Sequence, residues 1–326
     1  MGRLRVGFLG VGWIGRSRME AILATGAVEA VAIADPSAEC VEAALALAPE
    51  ARLVSGLEEM LALGLDGVVI ATPSALHAEQ SARALRAGAA VFCQKPLGRN
   101  AAEVHEVHDV SRAADRLLAV DLSYRFTRGM ERIVQLVRGG ALGRVQAVDL
   151  TFHNAYGPDK PWFYDPALSG GGCVMDLGVH LVDLAMWTLD WPEVEVVESH
   201  LLAGGAPARA DQCEDYAVAT LVLAGGVVVR LACSWRLQAG REAVIAAEFY
   251  GSKGGAAMRN EGGSFYDFTA EHFSGTSSET LAGPPDDWGG KAAADWARRL
   301  AAGARYDPET QRLGDVARVL DRIYGR

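Results

Sequence analysis

Residues 4–15 read Leu4-Arg5-Val6-Gly7-Phe8-Leu9-Gly10-Val11-Gly12-Trp13-Ile14-Gly15, and a helix-compatible stretch follows. A short apolar strand thus runs into Gly-x-Gly-x-x-Gly at the start of a helix. In that context the glycines permit a tight turn and close backbone approach, and the helix N-terminus faces an anionic group. The string alone is weak, because glycine also simply ends strands. A second apolar run, Val28–Ala34, ends in Asp35, twenty residues past Gly15. There a carboxylate can accept from the ribose of an adenine dinucleotide, or cap the helix that begins after Pro36.

The pattern repeats outward from this unit. Strand-like runs at Leu4–Leu9, Val28–Ala34, Arg52–Val54, Gly67–Ala71, Ala89–Cys93 and Leu117–Val120 are near-continuous apolar strings. Strands of that type belong to a parallel sheet covered on both faces. Helix candidates lie between them at 13–25, 37–48, 57–63, 75–87 and 100–115, with Gly26 and Gly88 at C-terminal caps and Asn100 at an N-cap. Alternating β and α predicts a doubly wound Rossmann-type domain over 1–122. From 123 to 326 the order changes. A helix at 128–138 and a strand at 144–152 precede an apolar helix at 174–188, and strands follow at 194–202, 215–223, 227–235 and 243–250. Strands in series predict an α+β domain with a large, open, mainly antiparallel sheet. Tyr216 to Val229 reads as two strands joined through Gly225-Gly226, the Gly/Ser/Pro-rich 251–290 as loops. Closing helices at 291–302 and 310–323 are free to pack back on the first domain.

Composition removes several function classes. The 326 residues carry 31 basic and 41 acidic side chains, a net charge of −10. No basic excess exists to neutralise phosphates, so nucleic acid and anionic membrane are poor partners. No apolar run reaches the ~18 residues of a membrane span. Cys40, Cys93, Cys173, Cys213 and Cys233 are odd in number, without a Cys-x-x-Cys pair, which predicts reduced thiols and no structural metal. A strand begins at Leu4 with no leader pattern before it, and the expected location is cytoplasmic. His105 and His108 lack a companion at ligand spacing. Neither a Gly-x-Ser-x-Gly elbow nor a Gly-Lys-Ser/Thr loop is present.

Three further segments carry chemistry. Ala71-Thr72-Pro73 and His77 follow the fourth strand at its carboxyl end, where ligands of open α/β sheets bind. His77 there either approaches a cofactor or sits on the first helical turn as a surface or capping group. The fifth strand delivers Cys93-Gln94-Lys95-Pro96 to the same edge, where Lys95 points into the crevice or outward to water. In Gly170-Gly171-Gly172-Cys173-Val174-Met175-Asp176-Leu177-Gly178-Val179-His180-Leu181-Val182-Asp183, an α-helix puts Asp176, His180 and Asp183 on one face. Three ionisable groups on an otherwise apolar helix are costly unless paired or used. The Gly triplet admits a cofactor or another backbone, and Asp183 is the member read as structural. Asn154, Trp162 and Trp235, with Tyr124-Arg125, are candidates to line a substrate pocket, although aromatic loops also pack as plain core.

Taken together, Gly10 to Gly15, Asp35, Ala71-Thr72-Pro73 with His77, Lys95-Pro96, and Gly171-Gly172 through Asp176, His180 and Asp183 resemble the glucose–fructose oxidoreductase/inositol dehydrogenase (Gfo/Idh/MocA) family over nearly the whole chain. The resemblance implies NAD(P)-linked oxidation or reduction of a sugar, cyclitol or related carbonyl compound, in homodimers or homotetramers. It carries the catalytic roles to Lys95, Asp176 and His180, and leaves open whether Lys95 or His180 moves the proton. The implied cofactor contacts are Gly10, Gly12, Trp13, Ile14, Gly15, Asp35, Ala71, Thr72, Pro73, His77, Gln94 and Lys95. One departure stands out, Gln94 where the family usually has Glu before the lysine. That change bears on the charge state of Lys95 or on nicotinamide contacts. Asp35 is expected to favour NAD over NADP, because its charge opposes an added ribose phosphate. A non-catalytic sensor on the same fold, or an NAD-dependent glycosidase, is the alternative. Val218, Thr220, Val222 and Val227–Val229 are largely apolar at positions of both parities, which predicts a second sheet face covered by another subunit.

Overall fold

The computed structural model describes residues 3–326. Its contacts form two compact units, one of residues up to Asp121 with Gly290–Gly314, the other of Leu122–Gly289 with Asp315–Arg326. A single boundary at 122/123 differs from this in two places: Leu122 falls in the second unit and Gly290–Gly314 in the first.

The first unit alternates β1 (Leu4–Leu9), α1 (Trp13–Leu23), β2 (Val28–Ala34), α2 (Ala38–Leu45), β3 (Arg52–Leu53), α3 (Leu57–Leu61), β4 (Gly67–Ile70), α4 (Ser74–Arg86), β5 (Ala90–Cys93), α5 (Ala101–Ala114) and β6 (Leu118–Val120). The strands form one parallel sheet in the order β3-β2-β1-β4-β5-β6. Every residue of β4 and β5 is buried, as strands covered on both faces must be. Backbone and helices approach closely because two strand positions are glycine. A Cβ on Gly7 would strike Met60 of α3, and one on Gly67 would strike Trp296. Trp296, on the helix Lys291–Ala301, is fully buried and lies 5.9 Å from the Phe92 ring. That apolar contact explains why the segment after Gly290 belongs to this unit. The strand order reverses direction between β1 and β4, which marks the crevice at their carboxyl ends as the ligand edge.

The second unit holds α6 (Arg128–Arg138), β7 (Val145–Asn154), α7 (Pro166–Ser169), a π turn (Val174–Gly178), α8 (Val179–Thr188), β8 (Val194–Ala203), β9 (Ala206–Pro207), β10 (Tyr216–Leu223), β11 (Val227–Ser234), β12 (Ala243–Gly251), β13 (Gly255–Asn260), β14 (Phe268–Ser274) and β15 (Ser277–Ala282). Nine strands run in the order β15-β14-β13-β12-β7-β11-β10-β8-β9, antiparallel except for β7 beside β11. β10 alternates half-buried and buried residues from Tyr216 to Leu223, so one face meets the helices and the other is more open. Gly225 and Gly226 turn the β10–β11 hairpin at φ 84° and 81°, conformations a side chain would strain.

Two expectations need correction. The stretch 251–290 contains β13, β14 and β15 rather than loops alone. Glycines fill its turns, Gly262, Gly263 and Gly275 all having positive φ, and the short runs between gain strand geometry from pairing with β12. Sheet context, not local propensity, decides there. The helix predicted over 174–188 opens with the π turn, in which the Val179 N–H reaches the Val174 carbonyl five residues back. Asp176 therefore lies on a widened turn, not on a regular α-helical face with His180 and Asp183. Nearly all of α8 is buried.

Candidate functional site

In the first unit, β1 ends at Gly10, whose φ of 83° and contact with Ala71 leave no room for a side chain: a Cβ would lie 2.5 Å from the Ala71 oxygen. A Cβ on Gly15 would lie 2.2 Å from the Gly10 oxygen, so that glycine lets α1 close onto the loop. Gly12 differs, since a Cβ there would meet nothing within 4 Å among the described residues. Space stands open over the loop at the start of α1, where no side chain caps Gly12 and the first turn carries no acidic group. Backbone N–H groups at a helix start, beside open space, fit a pyrophosphate.

Asp35 is tied into this loop. Its Oδ2 accepts from the Val11 N–H and its Oδ1 from the Ser37 N–H, both at 2.8 Å. The two sequence readings of Asp35 thus coexist, because a carboxylate with two N–H donors keeps lone pairs for ribose hydroxyls. A surface hollow of about 390 Å³ beside it is lined by Asp35, Glu42, Val41, Leu45 and Leu53 among others. These features together fit an adenine dinucleotide, which Gly10, Gly12 and Gly15, the α1 N-terminus and Asp35 would hold. Trp13 is 68% exposed at the head of α1.

The remaining first-unit candidates divide. Thr72 donates to Gln80 at 2.6 Å. His77 is 2% exposed, with Nδ1 2.7 Å from the Pro96 carbonyl and Nε2 2.6 Å from the Thr72 carbonyl. Its ring nitrogens thus tie the Thr72 loop to the Lys95-Pro96 loop. Burial pushes its pKa down, against the pull of the two carbonyls. Gln94 is also turned inward, donating to Asp121 Oδ2 at 2.7 Å, while Arg18 Nε donates to the same oxygen at 2.6 Å. All three are buried, and Gln94 joins the Arg18–Asp121 ion pair through its amide NH2. Lys95 is half-buried beside it, next to a cis peptide to Pro96.

In the second unit, Asp176 is half-buried and its Oδ2 accepts from the Trp235 indole N–H at 3.0 Å. His180 is 6% exposed, its ring 4.9 Å from Tyr124 in edge contact. Asp183 is fully buried and held by both Arg125 guanidinium arms, 2.8 Å at Nε. Burial pushes the Asp183 pKa up, despite that partner. Arg125 also lies over Trp187 and Trp191, 5.6 and 5.4 Å from their centroids. Arg125 thus pairs with Asp183 and lies over two indoles, and Trp235, 3% exposed, donates to Asp176. Trp162 stacks on Phe163 at 3.8 Å. Asn154, at the end of β7, keeps a buried Oδ1 with no hydrogen-bond partner among the described residues.

The Gly triplet admits protein, not a ligand. A Cβ on Gly172 would fall 1.9 Å from the Glu214 carbonyl oxygen, and one on Gly171 2.1 Å from the Tyr324 hydroxyl. Glu214 and Tyr324 were beyond sequence reading, since neither sits at a telling spacing. The same holds for Arg18 and Asp121, 103 residues apart. Among the described residues no His/Cys/Asp/Glu group could hold a metal, and no helix is long and apolar enough to cross a membrane.

Residues 4–122 match the model of an oxidoreductase family with an NAD-binding Rossmann fold, and 130–257 that of the GFO/IDH/MocA C-terminal domain. The chain is 28% identical over 211 residues to D-glucoside 3-dehydrogenase of Escherichia coli (strain K12), covering 61% of this chain and 60% of that protein. It is 30% identical over 260 residues to inositol 2-dehydrogenase of Rhizobium meliloti (strain 1021), covering 79% and 76%. The matched region thus spans less than two thirds of the first relative and about three quarters of the second. Levoglucosan dehydrogenase, solved with NADH and levoglucosan, shares the fold at TM-score 0.85 and 22% identity, over 99% of this chain and 97% of that one. Two family models matched in order, on a chain with this loop and these two sheets, show that it belongs to the GFO/IDH/MocA oxidoreductase family and carries its NAD-binding Rossmann fold.

Proposed function

We propose that this chain is an NAD-dependent dehydrogenase of a sugar, cyclitol or related polyol, with Lys95, Asp176 and His180 as its catalytic set. The observation that carries the reading is Asp176 on a π turn with one carboxylate oxygen held by Trp235, four residues from a buried imidazole, in a chain of this family. π turns recur at functional sites, and an oriented carboxylate near a histidine suits acid–base work. Inositol and glucoside dehydrogenases among the relatives support the substrate class.

A nicotinamide dinucleotide, which the Gly10–Gly15 loop and Asp35 would hold, would supply the hydride acceptor or donor for the carbinol carbon. His180 takes the hydroxyl proton through its imidazole nitrogen, as a general base. Lys95 hydrogen-bonds the same oxygen and stabilises its developing negative charge. Asp176, its carboxylate steadied by the Trp235 indole, orients the substrate or the imidazole. Asn154 contributes its buried Oδ1 as an acceptor for a substrate hydroxyl, and Trp162 an aromatic surface for a sugar face.

NAD is the cofactor over NADP, because Asp35 and Glu42 line the hollow where an added ribose phosphate would meet like charge. The chain works as a homodimer or homotetramer through the open sheet face. There Val196, Val222 and Val228 stand side by side in register, two of them 42% and 37% exposed. A panel of sugars and cyclitols with NAD and NADP, followed by nicotinamide absorbance, tests the function. Turnover of at least one polyol with NAD is expected; no turnover across the panel, with NAD bound, would overturn it. Light scattering that shows only monomer would remove the assembly.

A further inference from the structure

A helix leaves its first four N–H groups without partners inside the helix. On the element that carries Asp176 and His180, the first intrahelical bond joins the Asp176 N–H to the Gly172 carbonyl at 3.1 Å. The four preceding N–H groups, Gly172, Cys173, Val174 and Met175, are all satisfied, and by two residues only. Glu214 Oε2 accepts from Gly172 at 2.9 Å, its carbonyl from Cys173 at 2.9 Å, and its Oε1 from Val174 at 2.8 Å. The Tyr324 hydroxyl accepts from Met175 at 3.2 Å and donates to Glu214 Oε1 at 2.8 Å. Glu214 is 1% exposed, and its charge stands where the helix start favours an anion.

This cap is specific in shape as well as charge. Gly171 and Gly172 have no side chain because Tyr324 and the Glu214 backbone occupy that space. Arg326 donates to the Gly170 carbonyl at 2.8 Å and completes the strap. The capped N–H groups run directly into Asp176, so displacement of the cap moves the carboxylate before it moves any other polar group of the site. At the opposite side, Trp235 holds the same carboxylate from the end of β11.

We propose that Glu214 and Tyr324 are positioning residues that set the place of Asp176 by capping the turn on which it stands. The inference rests on the dehydrogenase reading for its catalytic consequence, but the cap itself is measurable without turnover. Tyr324→Phe removes one hydroxyl at nearly constant volume, and Glu214→Gln replaces one acceptor oxygen by a donor, so that one of the two backbone N–H groups loses its acceptor. Tyr306→Phe, which removes the hydroxyl bonded to His108 at 3.0 Å in the first unit, is the matched control.

The first measurement is hydrogen exchange of the Trp235 indole N–H by NMR, assigned with Trp235→Phe. Both cap variants are expected to speed this exchange roughly tenfold or more while the control leaves it unchanged. The second measurement is kinetic: kcat falls roughly 10- to 100-fold in the cap variants, with the Kd for NAD within about twofold of wild type. Unchanged Trp235 exchange in Tyr324→Phe overturns the proposal whatever the activity does. Faster exchange with wild-type kcat also overturns it, since the cap would then not position a catalytic group. A wild-type chain inactive on every polyol refutes the dehydrogenase reading instead, and the exchange experiment still decides whether the cap holds Asp176.

Discussion

Replacing Gln94 by glutamate would restore the carboxylate usual in this family, and the structure argues that this chain cannot accept it at neutral pH. The Gln94 amide donates to Asp121 Oδ2 at 2.7 Å, and Asp121 is 1% exposed. In Gln94→Glu two acceptor oxygens face each other at that distance. With charge centres about 4 Å apart and an effective dielectric near 20, the repulsion is about 4 kcal/mol. Arg18, already 2.6 Å from the same Asp121 oxygen, offsets part of this. The other route keeps the introduced carboxyl protonated as a donor. From an ordinary pKa near 4.3, that costs about 3.7 kcal/mol at pH 7. The cheaper route sets the loss, so Gln94→Glu should destabilise the first unit by about 2–4 kcal/mol at neutral pH. The folded-state pKa of the new group lies above its unfolded value. Its penalty is therefore absent below about pH 4, grows as pH rises, and levels off above the folded pKa. Urea midpoints of both proteins near pH ~5 and ~7.5 give the measurement, with the gap wider at the higher pH. Adding Asp121→Asn should return most of the loss, because Arg18 then pairs with the new carboxylate. Equal stability at both pH values, or a loss independent of pH, would refute the reasoning.

Other outcomes test separate parts of the account. His180→Ala is expected to lower turnover about 10²–10⁴-fold, and Lys95→Met to lower turnover while sparing NAD binding; near-full activity in both would displace the proposed site. Asp35→Ser should narrow the ratio of NAD to NADP dissociation constants at least ~10-fold, and should weaken NAD as well, since the Val11 and Ser37 N–H groups lose their acceptor; an unchanged ratio in titration calorimetry counts against the charge argument. Burial pushes the Cys93 pKa up to about 12 and that of Cys173 well above its ordinary value, and Cys233 is equally buried, so a thiol reagent on native protein should label Cys40 first, Cys213 slowly, and these three only after unfolding. His77, with its pKa lowered by burial, contributes stability that is present above pH ~6.5 and lost as pH falls toward its folded-state pKa, with a slope of up to about 1.4 kcal/mol per pH unit; His77→Gln should flatten that slope in denaturation curves.

The sequence by itself determined the features that depend on neighbours along the chain. Strand, glycine loop and helix from Leu4 to Gly15, with Asp35 after the second strand, specify the Rossmann pattern because turn geometry and apolar runs are local properties. The Tyr216–Val229 hairpin was legible for the same reason, two apolar runs around a glycine pair. Asp176 and His180 could be singled out because ionisable groups on an apolar helix have to be paired or used.

Tertiary structure alone decided which partner each polar group takes. β13, β14 and β15 exist because β12 offers an edge to pair with, an effect no short window of Gly and Ser contains. Arg125 pairs with Asp183, 58 residues away, a partner no local spacing announces. Trp235 and Gln94 each donate to a carboxylate brought near by the fold in the same way. The cap on the Asp176 turn spans a far wider gap than these, with Tyr324 meeting Met175 across 149 residues. Hydrogen bonds of buried groups must be satisfied by whatever the packed chain places within about 3 Å, and that set is fixed in space, not in sequence.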